Sequence, residues 1–117
     1  MNACRPVPPD PLPAGRDHFA VAQVAADFDA VLGAIGAQAT RVHRPRESGA
    51  YRYAVLEFPG GRHAVLLQHE KYPEHFSIQL QPIRDIAYRR AEFDAVCALI
   101  AVPASQITVL TGQVRWK

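Results

Sequence analysis

A predicted β-hairpin followed by an alternating strand constrains this fold more than any other feature of the sequence. Two runs rich in apolar residues, 51–58 and 62–69, flank the sequence Pro-Gly-Gly at 59–61. Glycine supplies the positive φ that a tight hairpin turn needs, so the two runs are expected to be antiparallel neighbours. A loop made of the two glycines alone would place Leu56 opposite Val65, and these side chains would then share one face of the sheet.

Residues 76–81 alternate strictly between apolar and polar side chains. The apolar positions are Phe76, Ile78 and Leu80, and the polar positions are Ser77, Gln79 and Gln81. Such alternation is typical of a strand with one face on the core and the other in water. In the predicted hairpin register the core face also carries Leu56 and Leu67, and the opposite, open face carries Tyr51 and Tyr53.

Two segments have the spacing of amphipathic helices. Their apolar positions are Phe28, Val31, Leu32 and Ile35 in the first, and Phe93, Val96, Cys97 and Ile100 in the second. Asp27 is placed to cap the start of the first helix and Gly36 to end it, while Pro103 stops the second. Both segments contain Phe-Asp-Ala-Val, at 28–31 and 93–96. This repeat results either from an internal duplication or from coincidence.

Shorter patterns complete the predicted architecture. Strands are expected near residues 38–44 and 106–110, with a further extended stretch at 113–117, whereas residues 18–24 fit either a strand or the start of a helix. The start of the second helix falls between residues 85 and 91. Together the elements predict an α+β fold: a two-layer sandwich of an antiparallel sheet of four to five strands, with two helices packed on one face.

The N-terminal residues have a different composition from the rest of the chain. Residues 1–16 contain five prolines. Each proline fixes φ and lacks a backbone N–H, so we expect this stretch to be a disordered, extended arm. Residues 17–117 are expected to form a single α+β domain, because domains typically contain about 100–150 residues.

Charge and cysteine content exclude several classes of protein. Thirteen basic and eleven acidic residues give a net charge of +2, which is too even to indicate a nucleic-acid-binding protein by itself. The chain lacks the run of about 18 apolar residues that a transmembrane helix needs. The two cysteines do not form a Cys-x-x-Cys motif, so no metal site is expected at them. The sequence also has no secretory pattern, and we expect a cytoplasmic protein without a bound cofactor or metal and without a membrane partner.

The open sheet face is the first candidate site, for binding a protein partner or a second copy of the chain. Its predicted residues are Tyr51, Tyr53, Gln68, Ser77, Gln79 and Gln81. Tyrosine is enriched at interfaces, and glutamine costs less to desolvate than a charged side chain. An ordinary solvated sheet face explains the same pattern equally well.

An arginine cluster gives the first alternative, a nucleic-acid-binding surface. It comprises Arg41, Arg44, Arg46 and Arg52. Arginines beside exposed aromatic rings hold single strands through phosphate contacts and base stacking. Tyr51 and Tyr53 are close to these arginines in the sequence, whereas Glu47 and the modest net charge argue against this function.

A loop rich in histidine and glutamate gives the second alternative, a small metal-assisted enzyme. His69, Glu70, Glu74 and His75 could bind a divalent cation or transfer protons. The loop lacks the His-Glu-x-x-His spacing of a helical zinc site, and Pro73 prevents a regular helix there. A solvated polar loop is the simpler interpretation.

The sequence contains no phosphate-binding glycine loop and no nucleophile-elbow motif. Because catalytic residues gather in space rather than in sequence, an enzyme is unsupported rather than excluded. The leading expectation is therefore a non-catalytic protein-binding module, of the inhibitor, antitoxin, immunity-protein or adaptor class, that uses the open face or the sheet edge.

Overall fold

The computed structural model describes residues 3–9, 18–44 and 49–117. This part of the chain contains nine strands, two α-helices and two short 3-10 turns. The strands are β1 (Arg5–Val7), β2 (Phe19–Val24), β3 (Thr40–Arg44), β4 (Gly49–Glu57), β5 (His63–His69), β6 (Phe76–Leu80), β7 (Ala87–Tyr88), β8 (Ile107–Val109) and β9 (Arg115–Trp116). The helices are α1 (Phe28–Ile35) and α2 (Arg90–Ile100).

Seven strands form one antiparallel sheet in the order β1–β4–β5–β6–β2–β8, with β3 also pairing β4. β3 and β1 share the outer edge of β4, because β3 pairs its first half and β1 pairs Val55 to Glu57. β7 and β9 form a separate parallel pair. The α+β class is confirmed. The expected four to five strands are too few, since residues 19–24 and 5–7 also join the sheet.

Both helices begin and end close to the predicted residues. The carboxylate of Asp27 accepts hydrogen bonds from the backbone N–H groups of Asp29 and Ala30, and Gly36 ends α1 with a φ of 74°. α2 begins at Arg90, separated from the end of β7 by one residue, and Ala101 follows the helix in the left-handed conformation. The buried apolar residues of both helices belong to one hydrophobic cluster with residues of one face of the sheet. We call that face of the sheet the helix-side face.

The hairpin has a different register from the predicted one. The backbone N–H of Phe58 donates to the carbonyl of Arg62, so three residues rather than two form the loop. Gly60 and Gly61 both have a positive φ, as the turn requires. Leu56 consequently lies opposite Ala64 instead of Val65. A shift of one residue exchanges the two faces of a strand, so Leu66, and not Leu67, lies on the helix-side face.

The opposite, second face of the sheet carries a hydrophobic core of its own. Tyr51, Tyr53, Val55, Val65 and Leu67 form this buried cluster, against which Val7 and Val42 pack. The N-terminal segment contributes to it, because Pro9 is buried and its carbonyl accepts a hydrogen bond of 3.2 Å from the hydroxyl of Tyr53. The prediction of a disordered arm therefore does not hold for β1. Residues 1–2 and 10–16 of that arm lie outside the described residues.

Candidate functional site

The structure places the two tyrosines of the predicted open face inside the protein. Tyr51 is 9% exposed and Tyr53 is 6% exposed. The expectation that they lie on an open surface is wrong, since the cluster around Val55 and Val65 is covered within the chain. A tyrosine has an apolar ring and a polar hydroxyl, so it suits a protein interior, where the hydroxyl is hydrogen-bonded, as well as it suits an interface. The sequence pattern does not separate these two possibilities.

Gln68 lies on the helix-side face and is 4% exposed, so it does not share a surface with Ser77. Its Oε1 accepts a hydrogen bond of 2.7 Å from Nη2 of Arg52, and its Nε2 donates to the carbonyl of Pro73 at 3.0 Å. The register shift in the hairpin explains the change of face. Gln68 supports the loop that leaves β5 and is not available to a partner.

Gln81 also has a structural role, at the end of β6. Its Oε1 accepts a hydrogen bond of 2.8 Å from the backbone N–H of His63. The backbone carbonyl of Gln81 accepts a second hydrogen bond, of 2.5 Å, from Nη2 of Arg62. These two bonds hold the start of β5 against the chain that follows β6.

Ser77 and Gln79 remain on the part of the second face that β6, β2 and β8 form. Pairing across the sheet brings Gln23 beside Ser77 and Thr108 beside Gln23. Gln23 and Thr108 are exposed, while Ser77 and Gln79 are half-buried. We call these four residues, together with Ala20, the polar half-face. Gln23 is absent from the sequence prediction because residues 18–24 could not be assigned to a strand. Thr108 is absent because the sequence does not show that the strand predicted near 106–110 pairs with residues 22–24.

The polar half-face offers neutral hydrogen-bonding groups. None of the three strands that build it contains a charged residue. Ser77 donates from its hydroxyl to the carbonyl of Leu67 at 3.3 Å, and Nε2 of Gln79 reaches that hydroxyl at 3.5 Å. Oε1 of Gln79 is buried and has no hydrogen-bond partner. A buried acceptor without a hydrogen bond costs free energy. Rotation of the side-chain amide of Gln79 toward a donor would recover that free energy.

The two arginines of the first alternative whose side chains are described do not share a surface with the tyrosines. Arg41 and Arg52 lie opposite each other on the helix-side face. Nε of Arg41 is 2.5 Å from Oε2 of Glu70, and Arg52 holds Asp29 with two bonds of 2.7 and 3.3 Å. The side chain of Arg44, like the whole of Arg46, lies outside the described residues.

The pair of Arg52 and Asp29 perturbs both groups. The hydrogen bond from Arg52 holds the pKa of the Asp29 carboxyl below its ordinary value. The same bond raises the pKa of the guanidinium. Arg52 also lies over the ring of Phe28, 5.3 Å from its centre. The charge of Arg52 is therefore used to fix α1 on the sheet, which leaves less of it for a phosphate.

The residues of the histidine and glutamate loop have other contacts. Glu70 pairs with Arg41, His69 packs edge-on against Tyr51, and His75 stacks on Tyr72. Within the predicted set, Glu74 and His75 lie together, with Oε1 of Glu74 3.6 Å from Nδ1 of His75. Among residues 3–9, 18–44 and 49–117, no three His, Cys, Asp or Glu side chains converge as ligands of a metal ion would. The structure therefore gives the metal-assisted enzyme no positive support.

The two cysteines are unpaired and half-buried. Burial raises the pKa of the Cys4 thiol to about 11, and burial together with the charge of Asp94 raises the pKa of Cys97. Since the thiolate is the reactive form, neither residue has the environment of a nucleophile at neutral pH.

No family model, curated protein or solved structure matches this chain. In the described ranges, no helix is long and apolar enough to cross a membrane.

Proposed function

We propose that this chain is a non-catalytic protein-binding module, acting in the cytoplasm, that binds a protein partner through the polar half-face. The observation that carries the proposal is the division of the second face into two halves. The half on β4 and β5 is apolar and buried within the chain. The half on β6, β2 and β8 is partly exposed and free of charged residues.

A neutral polar surface suits a protein partner. Interface centres are depleted of Lys, Glu and Asp, because a charge loses its hydration when the interface closes. Amide and hydroxyl groups such as those of Gln23 and Thr108 cost less to desolvate and can exchange hydrogen bonds with a partner backbone. β8 also forms an edge of the sheet in the described part of the chain, so a partner can contact the face and the edge together.

Nucleic acid fits this surface poorly. Binding to phosphates needs Lys or Arg, and β2, β6 and β8 carry neither. Their exposed or half-buried side chains on the polar half-face include no aromatic ring on which a base could stack. A second copy of the chain is the remaining alternative partner for the same surface.

The test is capture of a partner from nuclease-treated cell lysate by the tagged protein and by two matched variants. Gln23→Lys places a charge on the polar half-face, whereas Gln38→Lys makes the same change at another exposed glutamine, outside the sheet. An unpaired charge at an interface centre is costly, so we expect Gln23→Lys to reduce the captured amount about tenfold. Gln38→Lys should bind like the original protein.

Equal capture by all three proteins would overturn the proposal, as would a partner that is lost on nuclease treatment. Light scattering distinguishes the two kinds of protein partner. If the protein associates with itself and Gln23→Lys dissociates it while Gln38→Lys does not, the surface is correct and the partner is a second copy.

A further inference from the structure

Arginines without a carboxylate partner gather at one end of the sheet. Five arginines form ion pairs: Arg5 with Glu57, Arg41 with Glu70, Arg52 with Asp29, Arg62 with Glu92, and Arg90 with Asp94. Arg84, Arg89 and Arg115, the remaining arginines whose side chains the structure describes, form none, and neither does Lys117 beside them. All four are exposed. We call these four residues the basic end.

The backbone holds three of these cations around one recess. A tight turn at residues 84–87, closed by a hydrogen bond from the N–H of Ala87 to the carbonyl of Arg84, contains Asp85 with a φ of 44°. β9 joins this turn, since the N–H of Arg115 donates to the carbonyl of Ile86. Arg84, Arg115 and Lys117 thereby line a recess of about 210 Å³ together with Asp85 and Ile86.

Exposed apolar side chains lie at the same end of the sheet. Ile83, directly before the turn, is 40% exposed, and Ile86, within the turn, is 44% exposed. Phe19, which pairs with Leu80 at the end of β6, is 51% exposed. Three of the four large hydrophobic residues exposed in the described part of the chain therefore lie at the end of the sheet from which this turn leaves.

We infer that the basic end binds an acidic segment of a protein partner, with carboxylates in and around the recess and an apolar side chain against Ile83 and Ile86. The carboxylates of the segment are attracted to these exposed cations, which also orient the segment on the surface. The isoleucines provide apolar contact area. This surface is separate from the polar half-face, and the inference does not depend on the proposed function.

Two other anionic partners fit less well. A nucleic-acid backbone would leave the isoleucines without an apolar contact, and the ring of Trp116 is covered by Arg90 and packed on Phe93. An anionic membrane surface would face the carboxylate of Asp85, which lines the same recess. A peptide has discrete carboxylates and can place them beside Arg84, Arg115 and Lys117 while avoiding Asp85.

The inference is tested by fluorescence anisotropy with a labelled peptide that alternates glutamate and leucine. We expect this peptide to bind, with an affinity that falls as salt is added. A peptide with glutamine in place of glutamate should bind much more weakly. Labelled oligothymidylate and phosphatidylserine vesicles are the competing probes, and tighter binding of either one than of the acidic peptide would overturn the inference.

Two matched charge reversals locate the site. Lys117→Glu changes the basic end, whereas Lys71→Glu makes the same change at an exposed lysine in the loop before β6, at the opposite end of the sheet. We expect Lys117→Glu to weaken binding of the acidic peptide about fivefold, because an attraction becomes a repulsion. Lys71→Glu should have no effect. Equal effects of the two variants, or absence of binding by the original protein, would refute the inference.

Discussion

Arg52 lies in a cleft of about 440 Å³ between the start of α1 and the loop that follows β5. Its guanidinium holds the carboxylate of Asp29 with two hydrogen bonds and the side-chain oxygen of Gln68 with a third. A planar guanidinium suits such bidentate contacts, which lysine could not reproduce. A residue that resembles free surface charge in the sequence thus fixes a helix to the sheet.

The stability contributed by this pair depends on pH. Folding lowers the pKa of Asp29, so the folded protein binds fewer protons than the unfolded chain as the carboxyl titrates. The stabilisation by this ion pair is therefore fully present above the ordinary pKa of a carboxyl group. It is lost as the pH falls through the lowered pKa that Asp29 has in the folded protein. Because Asp29 is largely exposed, we expect Asp29→Asn to cost only about 0.5–1 kcal/mol at neutral pH.

Urea unfolding of the original protein and of Asp29→Asn at a series of pH values measures this effect. The two stability curves should be separated at neutral pH and converge in acid. Curves that stay parallel through the acid range would show that the ion pair does not contribute in this way.

At the residue scale, the sequence predicts local contacts and misses distant ones. Asp27 and Gly36 are recognisable as helix ends because their partners lie within a few residues. The partners of Arg52 and Gln81 are 23 and 18 residues away, and only the fold brings them together. Because these partners are distant in the sequence, the structural roles of Arg52 and Gln81 could not be predicted.

At the scale of elements, one ion pair connects the hairpin to α2. Nε and Nη2 of Arg62, at the end of the hairpin turn, bind the two oxygens of Glu92 at 2.6 and 3.0 Å. Glu92 is 5% exposed, which is unusual for a carboxylate. Its burial is tolerated because the guanidinium and the carboxylate satisfy each other.

Removing one partner of this pair should cost more than removing both. Arg62→Leu leaves a buried carboxylate without a counter-charge, and we expect a loss of about 2–4 kcal/mol, somewhat below the full effect for a buried pair because Arg62 is a quarter exposed. The double variant Arg62→Leu with Glu92→Leu should recover most of that loss. Urea unfolding provides the comparison, and a double variant less stable than Arg62→Leu would contradict this view of the contact.

The hairpin shows which part of an element can be predicted. The turn and both strands are evident from the glycines and the flanking apolar runs. The register is not, because residues 64–67 are all apolar and their pattern is compatible with either face toward the helices. The sequence of β2 fits more than one element for a related reason, since its alanines and valines lack a clear period. Its pairing with β6 also shifts between Ala20 and Ala22.

At the scale of the whole molecule, the sheet has a core on both faces. The sequence predicts one core under two helices and one open face. β1 and Pro9 instead contribute to a second core around Tyr53 and Val65, which confines the open part of that face to β6, β2 and β8. Proline content alone suggested disorder, and the strand pairing of residues 5–7 depends on an edge of β4 that only the complete sheet provides.

Binding of a protein partner to the polar half-face is the function proposed for this chain. Site-specific photo-cross-linking tests it most directly: a benzophenone side chain is placed at Thr108, on the polar half-face, or at Ala98, which is exposed on α2. Irradiation in nuclease-treated lysate should link the Thr108 probe, and not the Ala98 probe, to the protein that the unmodified chain captures. A partner linked from Ala98 and not from Thr108 would contradict the claim.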